Sequence, residues 1–246
     1  PIPIPLREQN GFAFSAEEVL SKINERTRLI ILNSPANPTG GVVPRGEFDA
    51  LIEGLCKWPD VAIMSDEIYG QMLYDNREPV SLIRYPEISD RLILLDGWSK
   101  TYAMTGWRLG YSVWPEKVAP HAEKLCVNIH SCVNSSAQFA GIAALTGDQS
   151  PVKAMVSAFD ERRTVIVNEL NKIPGFSCIQ PGGAFYAFPN ITQTGFRSDE
   201  LQKKILEDAG VAVISGTSFG EHGEGYLRFS YANSTENILK AVDLIK

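Results

Sequence analysis

Lys100 and Arg108 stand eight positions apart in the stretch Ser99-Lys100-Thr101-Tyr102-Ala103-Met104-Thr105-Gly106-Trp107-Arg108-Leu109-Gly110. A lysine amine can condense with an aldehyde cofactor to form an imine, and a fixed guanidinium can hold that cofactor's phosphate. At one fixed offset, the two could grip both ends of one small molecule. Singly, each has a plainer reading: a solvated surface lysine and a surface ion pair. Lys100 also follows a buried-strand pattern and precedes a tight glycine-containing segment, which favours the chemical reading.

Such a cofactor would need further partners, and four residues could supply them. Asp66 lies in Ser65-Asp66-Glu67-Ile68-Tyr69 at the end of an apolar run. It is either the N-cap of a following helix or a carboxylate that keeps a ring nitrogen protonated, making the ring an electron sink. Tyr69, one helical turn on, either packs or points its hydroxyl at a phenolic oxygen. Asn37 lies in Asn33-Ser34-Pro35-Ala36-Asn37-Pro38-Thr39-Gly40, where two prolines stiffen the chain. That is a tight turn, or a rigid mount aiming the Asn37 amide at cofactor and substrate. Arg228 lies in an apolar strand pattern over 226–231, where period two sets Arg228 and Ser230 on one face. A cation there needs a partner. The partner is either an acidic side chain or a substrate carboxylate, which a guanidinium grips with two parallel bonds.

The elements that must position these residues follow from hydrophobic pattern. Runs at 29–32, 61–64 and 92–95 are apolar without alternation, as in strands buried on both faces of a parallel sheet. Helical spacing lies around them: Phe48, Leu51, Ile52 and Leu55 within 47–56, and a shorter case at 17–23. The alternation predicts an α/β sheet with right-handed crossovers. Each run ends in polar residues: Asn33, then Ser65-Asp66, then Asp96 and Lys100. In open α/β sheets, ligands bind beyond the carboxyl ends of the strands, so three strands are expected to deliver polar groups to one rim.

Beyond 147 the pattern changes. Ser150 as N-cap and Pro151 at the first helical position open a long helix over 152–172, ended by Pro174-Gly175. It is expected to connect a cofactor-binding domain (1–150) to a smaller α+β domain (173–246). The latter should hold strands at 184–188, 211–214 and 226–231, a helix over 198–209 and a last helix beginning at Ser234. The segments around Gly182-Gly183 and 216–225 are expected to be turns, the first lining the substrate pocket.

Composition narrows the function classes. The 246 residues are 44% hydrophobic and 21% charged, with a formal net charge of −6. This is globular composition without the basic stripe of a nucleic-acid binder. No run is long enough to span a bilayer. Three scattered histidines give no metal-ligand spacing. Cys56, Cys126, Cys132 and Cys178 lack C-x-x-C spacing and are expected to be buried free thiols of a reducing, cytoplasmic compartment.

With these motifs in hand, the chain resembles class I (aspartate-aminotransferase-like) aminotransferases of the fold-type I pyridoxal-phosphate superfamily. The resemblance rests on N-S-P-A-N-P-T-G, S-D-E-I-Y, S-K-T-Y-A-M-T-G-W-R-L-G-Y and Y-L-R-F-S-Y-A, in that order, and covers essentially the whole chain. It implies pyridoxal 5'-phosphate as cofactor, amino acid and 2-oxo acid as substrates, and a homodimer. It casts Lys100 as the imine-forming lysine and proton shuttle, and Asp66 as partner of the pyridine nitrogen. Asn37 and Tyr69 become ligands of the phenolic oxygen, Arg108 a phosphate ligand assisted by Ser99, and Arg228 the α-carboxylate clamp. Residues 131–136 resemble a segment that reaches the neighbouring subunit's cofactor. Gly97 departs from relatives with Ser or Thr there, and Trp98 from a smaller apolar residue, for which a packing change is expected. The resemblance also implies a carboxyl-terminal part of a longer chain, with an incomplete major-domain sheet and weak or absent activity on its own. Two alternatives remain: a carbon–sulfur lyase or cyclopropane-forming synthase of the same superfamily, and a non-catalytic module with this fold.

Overall fold

A computed structural model describes residues 1–246. The apolar runs form three parallel strands, β1 (Leu29–Asn33), β2 (Ala62–Asp66) and β3 (Leu92–Gly97). Two helices, α1 (Ala16–Ser21) and α2 (Arg45–Leu55), precede and follow β1. Ser15 caps α1, its hydroxyl accepting from the Glu18 N–H. Phe48, Leu51, Ile52 and Leu55 of α2 are buried as their spacing predicts, and they share a core with Leu32, Ile63 and Leu92. The register pairs Leu32 with Ser65 and Ser65 with Leu94, so one sheet face carries these buried residues. Ile31, Met64 and Ile93 lie on the other face with Asp66.

The short helix α3 (Trp98–Thr101) leaves β3 directly, and β4 (Gly110–Val113) returns antiparallel beside it. This fourth strand lies outside the sequence expectation, as do α4 (Ala119–His130) and α5 (Ser135–Thr146). All three leave apolar surface exposed. No residue of α4 is buried, and α5 buries only Ala137 and Gly141 while Phe139 is 74% exposed.

The long helix α6 spans Ser150–Leu170. Gln149, not Ser150, is its N-cap; Asp148 instead accepts from the Ser150 N–H and hydroxyl. Beyond it lies an antiparallel sheet in the order β5 (Tyr186–Ala187), β7 (Leu227–Ser230), β6 (Ile214–Ser215), with helices α7 (Ser198–Ala209) and α8 (Thr235–Ile245). The strand expected at 211–214 is reduced to β6. Gly210 ends α7 in the left-handed region and the Val211 N–H still bonds back to Ile205, so the chain is leaving a helix there. Burial of the cysteines also departs from expectation: only Cys178 is buried, and all four thiols are free. No helix is long and apolar enough to cross a membrane.

The second core joins α6, α7, α8 and the small sheet, and it takes in Tyr69, Met72 and Tyr74 from the segment after β2. Arg163 of α6 locks that junction. It is 3% exposed, chelates Asp75 at 2.9 and 2.7 Å, bonds the Pro181 carbonyl at 2.9 Å and pairs with Asp160 at 2.6 Å. Its guanidinium also lies over the Tyr74 ring, 4.5 Å from the centroid. Arg163→Met is expected to destabilise the chain by about 2–4 kcal/mol, because it leaves the Pro181 carbonyl unpaired inside the protein. Asp160→Asn, at a half-exposed partner, is expected to cost under about 1 kcal/mol. Urea unfolding measures both, and equal effects would contradict the account.

Candidate active site

The rim of the parallel sheet is where the chemistry-bearing residues meet. Asn33 and Asp66 end β1 and β2 in register, and Asn33 Nδ2 donates to the Asp66 carbonyl at 3.0 Å. No helix follows Asp66, so it is not a helix N-cap; its Oδ1 accepts from the Ile68 N–H at 3.2 Å within a turn. Burial pushes the Asp66 carboxyl above the usual carboxylate range, against a smaller pull from that N–H. Asp96 does not join it. Asp66 pairs with Leu95, so alternation turns Asp96 to the opposite face, where the Gly97 N–H and the Tyr111 hydroxyl bond it.

The prolines at 35 and 38 both follow cis peptide bonds. The Asn37 N–H donates to Asn33 Oδ1 at 2.8 Å, and the Gly182 and Gly183 N–H groups both bond the Gly40 carbonyl. A Cβ on Gly183 would sit 2.7 Å from Pro35 and 2.8 Å from the Met72 carbonyl, so only glycine lets these segments close. The turn is thus mounted on both β1 and the small sheet's approach. Its Asn37 Oδ1 accepts from Arg228 Nη1 at 2.8 Å, which leaves the amide Nδ2 as a free donor.

Lys100 sits half-buried on α3 with no carboxylate against it, its Nζ 5.8 Å from the Tyr69 ring centre and 5.6 Å from that of Phe185. Trp98 anchors this turn. Its indole N–H donates to the Gly141 carbonyl at 3.0 Å, and a Cβ on Gly141 would come within 2.5 Å of Leu109. Gly97 is required by the close approach of β4, since a Cβ there would meet Gly110 Cα at 2.9 Å. Tyr69 is buried, its hydroxyl 2.9 Å from that of Tyr186. Burial, then this hydrogen bond, pushes its phenol far above the ordinary value.

Arg228 resolves one of the two readings left open above: it has no acidic partner. Its guanidinium lies 4.7 Å from the Tyr186 ring centre and 4.9 Å from that of Phe219, and its Nε is buried without a hydrogen bond. Apart from the Asn37 bond, its Nη groups carry no hydrogen bond to the protein. Ser99 and Arg108 are less engaged. Ser99 is half-buried on α3, and Arg108 is exposed, in the left-handed region, donating to the Thr105 carbonyl of its own turn at 2.9 Å.

Phe185, Tyr186 and Phe219 are the site residues that sequence reasoning passed over. Phe185 and Tyr186 lie inside an expected strand and Phe219 inside an expected turn, and neither segment carries a local signal of a site at these positions. Together these groups can hold an aldehyde cofactor at an amine, a carboxylate at a guanidinium and a ring nitrogen at a carboxyl. The residues present fit the group chemically: Lys100 and Arg228 have no acidic partner, and burial holds the Asp66 carboxyl above its usual range, a cost that a protonated ring nitrogen would offset.

The sequence model of the aminotransferase class I and II family matches residues 1–245. Aspartate aminotransferase of Pyrococcus horikoshii is 40% identical over 248 residues, covering 100% of this chain and 63% of that relative. Aromatic-amino-acid aminotransferase 2 of Thermococcus litoralis is 35% identical over 245 residues, covering 99% of this chain and 62% of its own length. Among solved structures, the aromatic aminotransferase from Pyrococcus horikoshii superposes with a TM-score of 0.95 at 33% identity, covering 100% of this chain and 66% of that one. The chain thus spans 63% of the length of the first curated relatives it matches. With motifs and fold in agreement, the chain belongs to the class I and II aminotransferases.

Proposed function

We propose that the protein moves an amino group between an amino acid and a 2-oxo acid with pyridoxal 5'-phosphate held at Lys100. The observation that carries the proposal is the shared wall of Tyr69, Phe185 and Tyr186, which Lys100 and Arg228 both face without counter-ions. The cofactor, when bound, supplies an aldehyde and an electron-withdrawing ring. Lys100 Nζ would hold that aldehyde, and its amine would take and return the proton at the substrate's α-carbon. Asp66 shares a proton with the ring nitrogen, which relieves the cost of its buried charge. Tyr69 Oη and Asn37 Nδ2 orient the phenolic oxygen. Arg228 binds the α-carboxylate, and its bond to Asn37 couples that carboxylate to the cofactor's position. Arg108, with Ser99, binds phosphate.

The relatives' names favour amino transfer over a lyase reaction, and the complete set of Lys100, Asp66 and Arg228 favours an enzyme over a binding module. A homodimer is part of the reading, supported by the apolar surface of α4 and α5. So is a cytoplasmic place, supported by four unpaired thiols.

Adding pyridoxal 5'-phosphate to the purified chain is expected to give a visible absorption band that is absent in Lys100→Ala. A band of equal strength in that variant would sink the assignment. Asp66 gives a pH-dependent test. Its folded-state pKa lies above the unfolded one, so its burial penalty is absent below the ordinary carboxylate pKa and grows as pH rises through the folded value. In the cofactor-free chain, Asp66→Asn is expected to stabilise at neutral pH, with the gain shrinking on acidification, while the variant takes up less cofactor. Urea titrations at several pH values measure this, and a pH-independent or destabilising effect would contradict it.

A further inference from the structure

Tyr186 is given no cofactor or substrate contact in the scheme above, yet its side chain touches both ends of the site. It opens β5, is buried, and pairs with Ser230 of β7. Period two puts Arg228 on the same face of β7 as Ser230, so Tyr186 and Arg228 are diagonal cross-strand neighbours. That register sets the Tyr186 ring 4.7 Å from the guanidinium, while its hydroxyl reaches Tyr69 Oη at 2.9 Å. The Tyr186 ring also lies against Phe185, with centres 4.7 Å apart, and meets Tyr69 edge-on at 79°. Packing on three sides holds its side chain in one place.

We propose that Tyr186 is a positioning residue that ties the carboxylate end of the site to the cofactor end. Its ring holds the Arg228 guanidinium, which has no carboxylate to orient it, and its hydroxyl holds the Tyr69 phenol. A cation on a long flexible side chain loses affinity for a ligand whenever it must be ordered at binding. The ring removes that cost beforehand, and the attraction between cation and ring face supplies the restraint. The hydrogen bond between the two tyrosines occupies one side of Tyr69 Oη and leaves the phenol a single direction to face. The inference rests on reading Arg228 as the carboxylate clamp.

The test uses the full cofactor-free chain, calorimetric titration with 2-oxoglutarate, and four variants. Arg228→Gln is expected to abolish binding, which locates the signal. Tyr186→Leu is expected to weaken binding about tenfold, the order of one cation–ring contact. Tyr186→Phe keeps the ring and is expected to bind within about twofold of the parent. In chain labelled with carbon-13 at the tyrosine Cζ, Tyr69→Phe assigns the Tyr69 resonance, and Tyr186→Phe is expected to move it. If the parent binds through Arg228 but Tyr186→Leu binds equally well, the ring's role is overturned and the clamp stands. If Tyr186→Phe weakens binding as much as Tyr186→Leu, the ring's role is likewise overturned. No Arg228-dependent binding in the parent overturns both, and an unmoved Tyr69 resonance overturns the hydroxyl's role.

Discussion

A half-buried guanidinium with no carboxylate beside it is the constraint on which this site turns. Arg228 is held by one amide oxygen and two aromatic rings, and its Nε is left without a partner. Removing a cation from water without a counter-ion costs free energy, and a structure keeps such a cost where a ligand will relieve it. Lys100 repeats the pattern at the other end of the same aromatic wall. Asp66 shows its complement: a carboxyl whose charge is disfavoured by burial until something shares a proton with it. An amine and a guanidinium without acidic partners on one aromatic wall, with a buried carboxyl nearby, support the proposed reading of a site for a zwitterionic ligand and a protonated ring.

The rest of the fold serves to hold those groups still. Parallel register brings Asn33 and Asp66 to the same level, and the Asn33 side chain then ties strand end to proline turn. The glycine pair at 182–183 docks that turn onto the approach to β5. Arg163 fastens the long helix to segments on both sides. The Asn33–Asp66, Gly40–Gly182 and Arg163–Asp75 contacts each join residues far apart in the chain, so the site depends on the two cores keeping their relative place.

Much of this was legible in sequence, for a physical reason. Lys100, Asp66, Tyr69 and Asn37 lie in local motifs where an apolar run ends in a polar or rigid segment, and strand ends of a parallel sheet converge. Arg228 stood out because a charge in an apolar strand demands explanation. Phe219 and Tyr186 were not legible. Tyr186 matters through a diagonal register between two strands far apart in sequence, which one-dimensional spacing does not carry. β4 escaped because all four of its residues are exposed, and α5 because small and apolar residues go all round it. Asp96 was expected at the rim with Asp66, and strand alternation turned it away.

The central claim is that one amine, that of Lys100, receives the cofactor in the pocket it shares with Arg228. Borohydride reduction of the chain with bound pyridoxal 5'-phosphate, followed by digestion and mass spectrometry of the peptides, tests it most directly. The account predicts that the reduced cofactor is found predominantly on the peptide containing Lys100, at whatever total yield, and is diminished by an added amino acid. Label spread over surface lysines, or concentrated on a lysine other than Lys100, would contradict it.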